Sequence, residues 1–431
     1  MLTPGRCLFL LALGLLGGCA DRAEHGESMK SRTYPDAVTL QPRPVLVTRG
    51  GVTVYNGGYG SGLARHPADS TRFYLLTDRG PNFEMPEENH KTFPVPSYTP
   101  KIGLFHLEGS VLTLEKTIDL TDIQGRPLTG IPMPPGRGGT GETPLDTLGN
   151  EIPYDAEGID AEGLAAMADG TFWVADEYGP GLLHAGADGK TLERVSPRPA
   201  VPDERSLPLV LLRRQPNRGF EGLAVTPDQQ QLVAILEVPL DNPRAAGRTS
   251  RITRILTLDL HTGQSQQFAY LLETAGVTNN GLSALPGNRF LVLERDDKFP
   301  GDSADPSTFK RVYRIDLAGA TDLSDSANGP AGRLFNGKTV EEMTVEELAG
   351  AGIVTVSKTL VVDLLDPDLA YPHNKPEGIE VIDRFTLAVS NDDDFGITND
   401  GRGGILAKLL PLTGQPDQTT VRFIPVAEAL Y

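Results

Sequence analysis

The segment DAEGLAAMADGTFWVADEYGP (residues 160–180) brackets an apolar strand with carboxylates at both ends. Glu162–Gly163 opens it, a short turn follows, and Phe172, Trp173 and Val174 run into Asp176 and Glu177. Strands usually carry their charges on the solvent side, so acids confined to the two ends need another explanation.

Recurrence supplies one. SGLARHPADSTRFYLLTDRGP starts at Ser61, EGLAVTPDQQQLVAILEVP at Glu221, NGLSALPGNRFLVLERDDKF at Asn280 and EGIEVIDRFTLAVSNDDDFG at Glu377. Each copy has Gly followed by Leu or Ile, a short strand, a turn rich in Pro, Asp, Gly or Asn, a second strand and a closing acid. The interval from Gly163 to Asp176 is 13 residues, and that from Gly222 to Glu237 is 15. Two further candidate strands lie between most copies, such as RITRILTLDL and QSQQFAYLLE. Four strands per unit and a repeat of tens of residues predict an all-β chain folded as a β-propeller.

The repeat glycines are 101, 59, 59 and 97 residues apart. The two long gaps hold either a degenerate blade each or loop insertions, which bounds the propeller at five to seven four-stranded blades. Proline-rich GIPMPPGRGGTGETP (130–144) favours an insertion in the first gap. In the last, KTVEEMTVEELAGAG (338–352) reads as a short helix, with Thr339/Glu342 and Thr344/Glu347 at capping-box spacing. AVTLQPRPVLV near the start and TVRFIPVA near the end are candidates to close the ring together.

In a propeller the innermost strands line a central channel, so a residue repeated at one place in each blade is presented around one axis. Glu162, Glu221, Asn280 and Glu377 then form a ring of oxygen ligands, with Ser61 at this place in the first copy. Oxygen-only ligands suit a hard cation such as Ca²⁺. The closing set comprises Asp78–Arg79, Asp176–Glu177, Glu237, Glu294–Arg295–Asp296 and Asp392 to Asp394. Asp176 and Glu177 are candidates to orient an attacking water or bind a second ion. Arg79 and Lys375 are candidates to hold an anionic substrate, with Arg218, Arg295, Lys298 and His373 in reach of the same rim. His373 could also serve as an acid or base. NDDDFG (391–396) partly matches a calcium loop. Trp173 is read as packing.

The chain has 431 residues, 48 Gly, 35 Pro and a formal net charge of -18, which argues against a nucleic-acid partner. Neither a GxSxG elbow nor a P-loop occurs, so serine-esterase and nucleotide chemistry lack support. The N-terminus has Arg6 and then an apolar run from Cys7 to Leu16, the layout of an export signal too short to span a bilayer. LGGC at 16–19 resembles a bacterial lipobox. That resemblance implies a signal peptide over 1–18, lipidation of Cys19 and, with Ala20 following, the outer membrane. A tether over 19–38 would then lead to a domain over 39–431. The only other cysteine lies in the signal, so no structural disulfide is expected.

DAEGLAAMADGTFWVADEYGP, NRGFEGLAV, NNGLSALPGNRFLVLERD and KPEGIEVIDRFTLAVSNDDD together resemble the phytase-like propeller family, described as having esterase-like activity. The resemblance runs from about residue 45 to near the C-terminus. It implies an exported, calcium-dependent propeller hydrolysing a phosphate or carboxylate ester of a small molecule, the lipid anchor being what LGGC implies. A monomer is expected. The Asp-Asp-Pro-Ala motif of alkaline propeller phytases is missing, which weighs against phytate. The Glu-Gly and Asn-Gly-Leu pattern is also similar to gluconolactonase-type propellers, so sugar-lactone hydrolysis is an alternative. A non-catalytic propeller that binds an envelope partner is another.

Overall fold

The computed structural model describes residues 34–136, 138–198 and 205–431. The expected signal peptide, Cys19 and most of the tether lie outside them. Among the described residues the fold is almost entirely β and propeller-like.

After β1 (Ala37–Gln41), the first repeat supplies β2 (Gly62–His66), β3 (Asp69–Leu76), β4 (Lys101–Glu108) and β5 (Val111–Asp119). The second supplies β6 (Ala161–Ala166), β7 (Phe172–Asp176), β8 (Gly181–Ala185) and β9 (Thr191–Val195). The third forms β10 (Phe220–Val225), β11 (Gln231–Leu236), β12 (Ile252–Asp259) and β13 (Ser265–Leu271). The fourth forms β14 (Thr278–Leu285), β15 (Arg289–Arg295), β16 (Lys310–Asp316) and β17 (Ser357–Asp363). The fifth gives β18 (Pro376–Asp383), β19 (Thr386–Asn391) and β20 (Thr420–Pro425).

The second, third and fourth repeats are separate antiparallel four-stranded sheets. The first and fifth belong to one eight-stranded sheet, joined through β1. There β1 pairs antiparallel with β20 (Ala37 opposite Arg422) and parallel with β5 (Thr39 opposite Val111). Residues 37–41 and 420–425, far apart in sequence, therefore meet in one sheet, as their strand patterns predict.

Residues 172–175 of this strand are all apolar because both of its faces are core. Phe172 and Val174 pack with Tyr74, Leu76 and Ile102 of the first repeat. Trp173 and Ala175 pack with Leu223, Ala234 and Leu256 of the third. Side chains of a strand alternate between faces, so stacked sheets bury both sets and leave charge for the ends. Leu232 and Val233 divide between neighbouring cores in the same way.

The inner strands β2, β6, β10, β14 and β18 pack in a closed ring, and the repeat glycines set their spacing. A β-carbon on Gly163 would lie 2.6 Å from Glu221 O, and one on Gly222 would lie 2.9 Å from Leu282 N. A β-carbon on Gly281 would lie 2.2 Å from Glu377 O, one on Gly378 2.9 Å from Leu63 N, and one on Gly62 2.9 Å from Glu162 O. No side chain fits at these approaches.

Both long gaps carry insertions. In the first, Thr143–Leu145 pairs with His90–Thr92. In the last, both expected capping boxes form, at Thr339–Glu342 and at Thr344–Glu347, the latter opening α1 (Val345–Gly350). Glu341 of this insertion makes a buried ion pair with Arg254 of β12 at 2.6 Å.

Gly281→Ala is expected to lower unfolding stability by about 1–3 kcal/mol, the range for forcing a methyl into packed structure. Gly350→Ala, in α1 with nothing within 4 Å of the new methyl, is expected to raise it by up to about 1 kcal/mol. Urea denaturation of both variants checks the pair.

Candidate functional site

Strand register aligns the repeats residue by residue. Ala161 lies opposite Asp176, Phe220 opposite Leu236, Asn279 opposite Glu294 and Pro376 opposite Asn391. The next residue on each inner strand is Glu162, Glu221, Asn280 or Glu377, and all four are buried. In these four pairs the register shifts at or just after that residue, so each has a bulge there. Bulges re-aim side chains beside sites. In the first repeat the shift falls instead at Arg65–His66, away from Ser61.

The residue after each opposing strand position forms a second set: Glu177, Glu237, Arg295 and Asp392, with Asp78 in the first repeat. All five are buried. The alternate positions point elsewhere. Asp176 accepts hydrogen bonds on Oδ1 from the backbone of Asp160 (3.2 Å) and Tyr178 (3.1 Å). It also lines a 350 Å³ cavity with Gly181, Leu182 and Arg194. Glu294 is bound by Tyr270, Lys358 and the amide of Glu273. Adjacent Asp176 and Glu177 therefore face different surroundings.

Two acidic triads form. One carboxylate oxygen from each of Asp160, Glu162 and Glu177 lies within 4.8 Å of the others, and the same holds for Glu177, Glu221 and Glu237. Glu177 belongs to both. Asn280 donates from Nδ2 to Glu221 Oε1 at 3.4 Å while its Oδ1 accepts from Thr278. Glu377 pairs with Arg295 at 2.8 Å. Buried oxygens of Asp160 (Oδ2), Glu237 (Oε2) and Glu377 (Oε2) accept no hydrogen bond. Such atoms are costly unless something else meets them.

Asp160 escaped recognition in the sequence because its place does not repeat: two residues before Glu221, Asn280 and Glu377 stand Gly219, Thr278 and Lys375. Its one signal is the step of two from Glu162.

Burial, reinforced by neighbouring carboxylates, holds Glu162, Glu177 and Glu221 well above the usual carboxylate range. Burial and Asp392 raise Glu377 to about 7, against the pull of Arg295 and Lys375. Burial lifts Asp176 to about 6.

The cations are mostly engaged. Arg79 is buried, with Nε 3.3 Å from Asp160 Oδ2 and Nη1 on Glu142, Tyr178 and Asn217. Lys375 donates to Asp392 (3.1 Å) and Asp394 (2.7 Å). Arg295 binds Glu377 and Asp297. Arg218 binds Glu237 yet keeps 41% of its side chain exposed. Lys298 pairs with Asp305 at the surface. His373 bonds Asp417 at 2.7 Å in a separate buried group with Lys408.

NDDDFG is a braced turn. Asp393 accepts from the amides of Gly58, Phe395 and Thr419, and Asp394 is held by Lys375 and Lys408. Its acids are thus spent on internal partners rather than arranged as a calcium loop.

With no cation bound, carboxyls whose folded pKa is raised take up protons on folding. Stability is then full below the unfolded value and falls as pH rises through the folded one. For Asp176 (about 6) and Glu377 (about 7) that window spans roughly pH 4 to 7. Glu142 and Asp297, lowered to about 2, act only below it. Chelator-treated protein is therefore expected to melt at a lower temperature at pH 8 than at pH 5, and calcium is expected to reverse the loss at pH 8.

A curated relative, an uncharacterized secreted protein of Arthroderma benhamiae, is 26% identical over 303 residues. The match covers 56% of this chain and 59% of the relative, so the chain spans about three fifths of that protein. Among solved structures, the PQQ-bound aldose sugar dehydrogenase of Streptomyces coelicolor shares 11% identity at a TM-score of 0.32, over 87% of this chain and 85% of that one. The major allergen Mala s 1 of Malassezia sympodialis shares 11% at 0.33, over 84% and 77%. No helix among the described residues is long and apolar enough to cross a membrane. The family described as "Phytase-like: Esterase-like activity of phytase" matches residues 55–395, a span that holds both residue sets and both triads, and the chain belongs to that family.

Proposed function

We propose that this chain is a divalent-cation-dependent hydrolase of phosphate or carboxylate esters, built on a five-bladed β-propeller and acting in the cell envelope. The convergence of buried carboxylates with unbonded oxygens at one end of the ring of inner strands carries the reading. Five carboxylates, Asp160, Glu162, Glu177, Glu221 and Glu237, meet two guanidinium groups, those of Arg79 and Arg218, a formal excess of three negative charges. Buried charge of one sign needs a partner, and a hard divalent ion fits an all-oxygen set.

Glu162, Glu221, Asn280 and Glu377 would hold the ion, which we take to be Ca²⁺. When bound, such an ion polarises the ester oxygen and lowers the pKa of water. Glu177, buried beside Glu237, Asp160 and Glu221, would face the ion and orient the attacking water. Asp176 fixes the backbone of Asp160 and Tyr178, and so positions the loop that carries Glu177. Arg79 holds Asp160, and Lys375 holds Asp392 and Asp394, which fixes the acidic walls. Arg218, exposed at the rim, meets the anionic part of the substrate. The secreted relative supports export, and Cys19 would carry the lipid that keeps the protein at the outer membrane.

Elemental analysis of the purified protein, with melting before and after chelation, is expected to find bound calcium and a large chelator-induced fall in melting temperature. Glu162→Gln and Glu221→Gln are expected to lower turnover of nitrophenyl phosphate or acetate about 100-fold or more while the fold persists. Turnover confined to sugar lactones would instead favour a lactonase. Bound calcium with no turnover of any ester would favour a binding module.

A further inference from the structure

The two triads share one residue. Asp160, Glu162 and Glu177 bring oxygens within 4.8 Å of one another on one side, and Glu177, Glu221 and Glu237 do so on the other. Oxygens bound to one Ca²⁺ at about 2.4 Å lie at most about 5 Å apart, so each triad is the size of one coordination shell. A carboxylate has two oxygens and can give one to each of two ions.

We propose that the site holds two divalent cations bridged by the Glu177 carboxylate, one on Asp160 and Glu162 and the other on Glu221 and Glu237. This rests on the cation-dependent reading above, divides Glu162 and Glu221 between two ions instead of one, and adds Asp160, Glu177 and Glu237 as ligands.

Unbonded oxygens point to the ions independently of the clustering. Glu237 is 1% exposed; Arg218 holds its Oε1, and its Oε2 accepts no hydrogen bond. Asp160 is equally buried; its Oδ1 accepts from the Arg79 amide, and its Oδ2 accepts no hydrogen bond and has only the Arg79 Nε, 3.3 Å away. Each outer acid is thus anchored by an arginine. Glu177, shared by both triads, is then the residue able to join the two ions.

Charge supports two ions over one. A single divalent ion leaves the excess of three negative charges at one, which would repel an anionic ester. A second reverses the sign and draws the ester in. Two ions bridged by a carboxylate and about 4 Å apart form a clamp for the attacking and leaving oxygens of a displacement.

The test is calcium titration by isothermal calorimetry on the purified, chelator-stripped full-length protein, with stoichiometry as the readout. Two calcium ions per chain are expected. Asp160→Asn and Glu237→Gln are each expected to leave one, and Glu177→Gln is expected to lose or weaken both at least tenfold. One ion in the wild type, untouched by Asp160→Asn or Glu237→Gln, would overturn the bridged pair while leaving the single-ion reading intact. No ion at all would overturn both. Should the variants fail to fold, terbium-to-neodymium energy transfer in the wild type decides. Strong quenching in mixed-metal protein is expected for ions about 4 Å apart, and its absence would overturn the pair.

Discussion

Each inner strand can lie against the next only because a glycine follows the residue that faces the mouth of the ring. At Gly281 a β-carbon would sit 2.2 Å from the carbonyl oxygen of Glu377, a separation no pair of packed atoms tolerates. Backbone contact on this scale fixes the diameter of the ring, and the diameter fixes how near the mouth-facing side chains come. The bulges at Glu162, Glu221, Asn280 and Glu377 belong to the same device. They turn each side chain inward at the point where the backbone is most crowded. Acids that would be solvated on a looser sheet are thereby pressed together out of water.

The mouth that results is lopsided. Carboxylates accumulate on the second and third repeats, where Glu162, Glu177, Glu221 and Glu237 are joined by Asp160. The fourth repeat contributes Asn280 and Arg295 at the matching places, and the first contributes Ser61. Arg295 neutralises Glu377 of the next repeat, so negative charge is paired internally on one side and left in excess on the other. A ring built from repeated backbone units thus has a site with a direction.

Much of this was legible in the sequence. Glu162, Glu221, Asn280 and Glu377 were found because one residue precedes Gly-Leu or Gly-Ile in every copy, and a repeated place must recur in space when repeats pack alike. Thr339 and Thr344 announced their turns by local spacing alone. What escaped depends on single-residue phase or on distance. Whether Asp176 or Glu177 faces the mouth turns on one step of a strand, because neighbouring side chains point to opposite faces. Arg79 looked free to bind an anion, yet its partners Glu142, Tyr178 and Asn217 come from three other stretches of chain. The acids of NDDDFG were likewise consumed by Lys408 and by backbone amides far away in sequence, such as Gly58.

The seam made by β1 has a kinetic meaning. As the chain is synthesised, β1 and the first repeat emerge early, and β1 can pair with β5 at once. Its other edge must then wait for β20, made more than 300 residues later. Contacts between such distant segments form slowly, and an open strand edge is an invitation to other chains. A nascent molecule is thus exposed to mispairing until β20 is made. β20 works as a latch, and any agent that shields the β1 edge during synthesis would set the yield of closed rings.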